Sequence, residues 1–155
     1  MLAEFGNLSN SEIELVLKSP ILTSILIAGA DGNIDRKEIQ ESIKVAQKNA
    51  KKSKTRMMEF YQFVGEDFED KLKILLQGYP SSASQRSTMI VQELAQLNNV
   101  LPKIDRVFAQ ELYGSMKDIA HKIASSSGGL LGMKSIGEEE ARYVHLPMIK
   151  DPASY

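Results

Sequence analysis

"PILTSILIAGADGNIDRKEI", residues 20–39, decides how this chain is read, because it joins a very apolar helix to a turn with the look of a cation site. Ile21 and Ile25 mark one side of the first half, Leu22 and Leu26 another. A helix with two hydrophobic sides belongs inside a core rather than on a surface. Ser19 followed by Pro20 fits an N-cap with proline at the first helical position, so a separate short helix over residues 20–30 is expected. After the turn, Ile39, Ile43, Ala46 and Ala50 recur at helical spacing and define one buried face of the next helix.

The same periodicity runs outward in both directions. Upstream, Ser9 and Glu12 have capping-box spacing ahead of "IELVL". Downstream, helical faces follow at Met57/Phe60/Tyr61/Val64, Phe68/Leu72/Leu75/Leu76/Tyr79 and Ile90/Leu94/Leu97/Leu101. A long helix carries Phe108, Leu112, Met116, Ile119 and Ile123, and a last one is expected from Glu138 to just before Pro147. No segment alternates with the period of two that a half-buried strand requires. The expectation is an all-α fold of about seven helices in a single compact bundle over residues 1–150, with residues 151–155 as a disordered tail.

Composition narrows the chemistry. A chain of 155 residues with 43% hydrophobic and 25% charged residues is large enough to bury a real core. The formal net charge of -1 exerts no general pull on nucleic acid, and none is expected as a partner. With no cysteine, thiolate metal sites, thiol nucleophiles and disulfides are excluded. No apolar run approaches the roughly 20 residues that span a bilayer, and the N-terminus lacks the basic and apolar regions of a secretory signal. A cytoplasmic setting is expected.

Between the helical runs, "GYPSSASQRST" at residues 78–88 has the composition of a connector and divides the chain into halves. The halves look related. In the first, a helix ends in Ala28-Gly29-Ala30-Asp31-Gly32, followed by Ile34 and Glu38. In the second, Ala124-Ser125-Ser126-Ser127-Gly128-Gly129 is followed, after extra residues, by Ile136 and Glu140 at the same mutual spacing. Both read as helix, glycine turn, isoleucine, acidic helix start.

Two readings of the first turn stay open. A calcium-binding helix-loop-helix places oxygens at loop positions one, three, five, seven, nine and twelve, with glycine at six. Asp31 falls at five, Gly32 at six, Asn33 at seven, Asp35 at nine and Glu38 at twelve, but positions one and three fall on Ile27 and Gly29, which bring no side-chain oxygen. The set yields about five of the six to eight oxygens calcium takes. The last carbonyls of the preceding helix lack intrahelical partners and carry the negative end of its dipole, which gives a cation a further reason to settle there. A divalent cation, calcium or magnesium before zinc, is the first reading. In the second, Gly32 ends one helix, Asp35 caps the next with Glu38 completing a capping box, and Ile34 and Ile39 staple the start. Capping explains every residue of the motif except Asp31.

The pattern of Ala28, Ala30, Asp31, Gly32, Ile34 and Glu38 after an apolar helix resembles the TerB-like family, which joins tellurite-resistance TerB proteins and the N-terminal domain of the DjlA co-chaperones. "IASSSGG" with "IGEEE", residues 123–129 and 136–140, is similar to the family's other turn. The resemblance spans roughly residues 15–147 and rests on short motifs. It implies an all-α fold with internal pseudo-symmetry, a bacterial stress or metalloid-resistance setting, and acidic residues that bind metal. By position those are Asp31, Asp35 and Glu38 from the first turn and Glu139 or Glu140 from the second. The second turn departs from the first, with Ser127 and Gly129 where Asp31 and Asn33 stand, which puts a symmetric pair of sites in doubt.

Other features carry less. "GGLLGMKS", residues 128–135, misses a phosphate-binding loop by Met133 and follows a helix rather than a strand. Its Leu130, Leu131 and Met133 are expected to lid the core; exposed, they would be a partner patch. "KNAKKSKTR", residues 48–56, gathers five positive charges where helices meet, either as a solvated helix end or as a surface for an anionic partner. His121 and His145 read as surface histidines with no ligand spacing between them. No nucleophile–base pair stands out, so the expected role is non-catalytic: a cation-binding TerB-like domain, or else a helical module that binds a protein partner.

Overall fold

The computed structural model describes residues 2–30, 34–128 and 141–155. Among them are six α-helices and no strand: α1 Asn10–Ala28, α2 Arg36–Ala50, α3 Met57–Gly65, α4 Phe68–Gln77, α5 Ala83–Ala95 and α6 Arg106–Gly128. Short 3-10 turns at Ala3–Phe5, Gln96–Asn99, Leu101–Lys103 and Pro152–Ser154 complete the described chain. No helix among the described residues is long and apolar enough to cross a membrane. The final helix expected from Glu138 begins outside the described residues; Arg142–His145 form a turn ahead of Pro147.

Pro20 does not begin a helix. α1 runs straight through it, so the two helices expected on either side are one. Proline offers no N–H to the carbonyl four residues back, which here is Val16. Ser19 meets the shortage by donating its Oγ–H to that carbonyl at 2.8 Å. Thr23 and Ser24 likewise turn their hydroxyls back onto the carbonyls of Ser19 and Pro20, both at 2.9 Å. The polar residues of "SPILTS" are thus satisfied within the helix, and residues 19–29 are buried without exception. At the start of α1 the Ser9–Glu12 capping box forms in full. Lys103, hydrogen-bonded to the Glu12 carboxylate, and the Ser9 N–H hold that carboxyl below the usual glutamate range.

Two contacts advance together and set the relative direction of α1 and α6. Glu12, near the start of α1, pairs with Lys103 just ahead of α6, and further along Thr23 reaches Met116. The two helices therefore run the same way. α5 runs opposite to α1, since Arg86 near its start meets Gly29 while Glu93 near its end pairs with Lys18 at 3.0 Å. α2 returns along α1 and delivers its end, through the turn at Ser53 and Thr55, to Glu111 on α6. One end of the bundle thus collects the ends of α1 and α6 and the starts of α2 and α5.

The buried faces of α2, α3 and α6 are those their periodicity predicts: Ile39, Ile43, Ala46 and Ala50; Met57, Phe60, Tyr61 and Val64; Phe108 through Ile123. Phe5, Phe60 and Phe108 pack edge-to-face in a triangle, with ring centres 5.8–6.3 Å apart. α4 is a weaker element. Only Phe68 and Leu72 are buried, and Ile74 is 67% exposed.

Two expected boundaries move. The connector shrinks, because Ser82 caps α5 by accepting the Gln85 N–H at 3.4 Å, and most of "ASQRST" is helix with Arg86 and Ser87 buried. Nor are residues 151–155 a loose tail. Asp151 accepts the Ala153 N–H at 2.8 Å, Pro152 is buried, and Arg106 donates to the carbonyls of Ala153 and Tyr155 at 3.0 and 2.9 Å. Asn98 fastens the segment just before them, donating to the Met148 carbonyl and accepting the Lys150 N–H. These fasteners lie some fifty residues upstream, which is why the local composition of "KDPASY" does not announce them.

Candidate functional site: a filled corner and an open cleft

The acidic turn sits at the end of the bundle where α1 stops and α2 starts. Asp31 and Asn33 lie outside the described residues, as do Glu139 and Glu140 and the whole Leu130–Met133 stretch. Of the expected ligands, the structure places Asp35 and Glu38. Asp35 is the N-cap of α2, its Oδ1 accepting the Glu38 N–H at 3.2 Å. Ile34 packs against the core ahead of it and Ile39 is fully buried, as a staple requires.

The negative end of the α1 dipole does attract a cation, and the cation is a side chain. Arg86 of α5 is only 6% exposed. Its Nη2 donates to the Gly29 carbonyl at 2.9 Å, and its Nη1 reaches the Ser81 carbonyl at 3.5 Å. A guanidinium answers the unpaired carbonyls at a helix end with directed donors as well as charge. Gly29 is small because of it: a Cβ there would stand 2.7 Å from Arg86 Nη2 and 2.9 Å from the Ile25 carbonyl oxygen. On the described residues alone the donor set is two carboxylates, one of them already a cap, against the six to eight oxygens calcium takes. Among those residues no three His, Asp or Glu side chains gather closely enough to share an ion. The described part of the motif fits a capped turn closed by Arg86.

The open space lies elsewhere. Between α2 and α6 runs a cleft of about 570 Å³, within the range of sites that hold small ligands or single side chains of a partner. It exists because facing positions carry small residues: Ser42, Ala46 and Ala50 on α2, Gly114 and Ser115 on α6. A Cβ at Gly114 would meet nothing within 4 Å. Met57, Ile119 and the half-exposed Val107 supply apolar wall. Tyr61 forms part of the floor, its hydroxyl 2.6 Å from Ser115 Oγ. Burial pushes that phenol far above the ordinary tyrosine range, against the pull of the Ser115 hydrogen bond, so it remains neutral.

One wall of the cleft is a polar knot. Glu111 of α6 accepts from Ser53 Oγ and from Thr55 Oγ1, the latter at 2.9 Å, while Ser53 Oγ also accepts the Thr55 N–H at 3.0 Å. The knot ties the α2–α3 turn to α6 and holds up the lip on which Lys52 and Lys54 stand. Those lysines belong to the basic stretch at residues 48–56, so the charge run borders this cleft. Lys122 stands near the other end. Among the described residues the ion pairs are Lys18–Glu93 and Lys103–Glu12, which leaves the cleft lysines unpaired.

Sequence reasoning missed Arg86, Glu111 and the meeting of the two histidines, whose ring centres lie 5.1 Å apart. Each contact bridges elements far apart in the chain, and only Arg86 left a trace, as a charged residue inside a small-residue connector. No family model, no curated protein and no solved structure matches the chain.

Proposed function

We propose that the chain is a non-catalytic helical interaction module whose α2–α6 cleft receives an acidic segment of a partner protein anchored by an apolar side chain. The observation that carries this reading is the juxtaposition of a half-apolar cavity with unpaired lysines on its lip. Lys52, Lys54 and Lys122 face it and outnumber its two carboxylates, Asp118 and the Glu111 group engaged by hydroxyls. Apolar burial at such a site supplies affinity, and the lysines select by charge and speed encounter. The resemblance to TerB-like proteins sets this role in a bacterial stress or metalloid response. A labelled peptide rich in Asp and Glu around a central Leu or Phe is the probe, read by fluorescence anisotropy. Binding is expected to weaken about tenfold in Lys52→Glu/Lys54→Glu and to vanish when Gly114→Phe plugs the cleft. A peptide that binds the plugged variant equally well, or fails to bind the native chain, overturns the reading.

A second reading keeps one observation in its favour. Because α1 and α6 run the same way, Ala28 and Gly128, where the two helices end, lie toward the same end of the bundle, which supports reading the acidic sequences after them as one neighbourhood. This reading has a weakly held calcium or magnesium ion at Asp31, Asn33, Asp35 and Glu38, with Glu139 or Glu140 contributing. Calorimetric titration of chelator-treated protein decides: saturable heat lost in Asp31→Asn supports the ion, and silence up to millimolar metal removes it.

A further inference from the structure

His121 and His145 meet although nothing in their spacing suggests it. His121 is an exposed residue of α6 between buried Ile119, Ala120 and Ile123, so its backbone is firmly held. His145 is exposed on the turn after residue 141, between buried Val144 and Leu146. The Leu146 N–H donates to the Tyr143 carbonyl at 2.8 Å, and Tyr113 of α6 reaches the His145 carbonyl at 3.5 Å. Both rings are thus presented by anchored backbone, with centres 5.1 Å apart and planes at 63°.

That separation, which is also that of an edge-to-face ring contact, lies within the range two imidazoles span when they share a metal. With metal–nitrogen bonds of about 2.0–2.1 Å, each ring centre lies about 3.2 Å from the ion, and bond angles between right-angled and tetrahedral put the centres about 4.5–5.2 Å apart. The interplanar angle is no obstacle, since each ring turns freely about its own metal–nitrogen axis. We infer that His121 and His145 form a two-histidine site for a late first-row divalent ion, one of Cu²⁺, Ni²⁺ or Zn²⁺. Imidazole suits those ions, whereas calcium and magnesium take oxygen. Among the described residues no third His, Asp or Glu joins the pair, so the remaining positions go to water or to a group from a partner. The bound ion staples the segment after residue 141 to α6. Asp118 and Lys117, one turn back on the same helix, set the local charge with opposite signs.

The site is independent of the acidic turn, and its test separates the two. Tag-free, chelator-treated protein is titrated with each of Cu²⁺, Ni²⁺, Zn²⁺ and Ca²⁺ alone, beside His121→Ala, His145→Ala and Asp35→Asn. Expected are one saturable site with Cu²⁺ tightest, a loss of at least about tenfold in affinity in either histidine variant, and no change in Asp35→Asn. Both side chains are exposed, so the variants fold, and an unshifted unfolding midpoint without metal confirms it. Affinity unchanged in either histidine variant, or binding of Ca²⁺ alone, overturns the inference.

Discussion

α1 and the outer face of α6 lie in one bundle and meet opposite conditions. Along the second half of α1 every gap is filled. Ser19 supplies the donor that Pro20 lacks, Arg86 answers the terminal carbonyl, and Gly29 is small because a guanidinium occupies the room a methyl would need. On α6 the room is left over: Gly114 and Ser115 face Ala46 and Ala50 across a cavity of about 570 Å³ with no side chain in it. Small residues therefore mean two different things here. At Gly29 smallness admits a neighbour already present; at Gly114 nothing present requires it.

The largest effect should come from emptying the filled corner. Arg86→Met keeps the aliphatic bulk and removes the donors, stranding the Gly29 carbonyl in a buried place. Hydrogen bonds from a charged group are worth about 1.5–3 kcal/mol, so a loss of about 2–3 kcal/mol is expected. Urea unfolding reads it as a lower midpoint at unchanged slope. A loss under half a kcal/mol would mean that water replaces the guanidinium freely and that the corner is not sealed.

Gly29→Ala tests the same contact from the other side. Gly29 has φ -93° and ψ 2°, which alanine adopts without strain, so any cost comes from neighbours. Overpacking of this kind costs about 1–3 kcal/mol. In an Arg86→Met background the cost should fall by roughly 0.5–1 kcal/mol, since residues in contact do not act additively. Strict additivity in that double-mutant cycle would separate Gly29 from Arg86.

Further up α1, Ser19→Ala should cost about 1–2 kcal/mol by leaving the buried Val16 carbonyl without a donor. Changing Pro20→Ala in that background restores an N–H at the right place. The pair should recover most of the loss, and a double variant no better than Ser19→Ala would show that the hydroxyl is not standing in for the missing amide.

How much of this could be read from the chain follows the range of the interactions. Helical faces such as Ile39/Ile43/Ala46/Ala50, the Ser9 box and the Asp35 cap depend on residues within one or two turns, and spacing alone reveals them. The attraction of the α1 end for a cation was also legible, because it follows from backbone dipoles. Which cation answers it was not. Arg86 arrives from α5, 57 residues away, out of a stretch whose serines suggest a connector. Pro20 misled for a related reason: its usual place at a helix start is a statistical rule, and the local rescue by Ser19 overrode it. The cleft is harder still, since a cavity is a property of two facing helices and neither sequence run contains it.

The smallest expected effect is also the one with the opposite sign. Glycine inside a helix is less favourable than alanine by about 1 kcal/mol, through the freedom it loses on folding. At Gly114 no neighbour opposes the added methyl, so Gly114→Ala should stabilise the chain by about 0.5–1 kcal/mol and raise the melting temperature by about 1–4 °C. Gly29→Ala, the same chemical change, should lower it. If Gly114→Ala instead destabilised the protein, α2 and α6 would have to close against each other in solution, and the cleft would be filled by its own walls. A gain in stability without a partner, combined with weaker peptide binding in bulkier variants at the same position, is what an unfilled receptor site predicts. Stability and binding then pull in opposite directions at one residue, and that opposition separates a site kept open for a partner from a packing fault that merely went unrepaired.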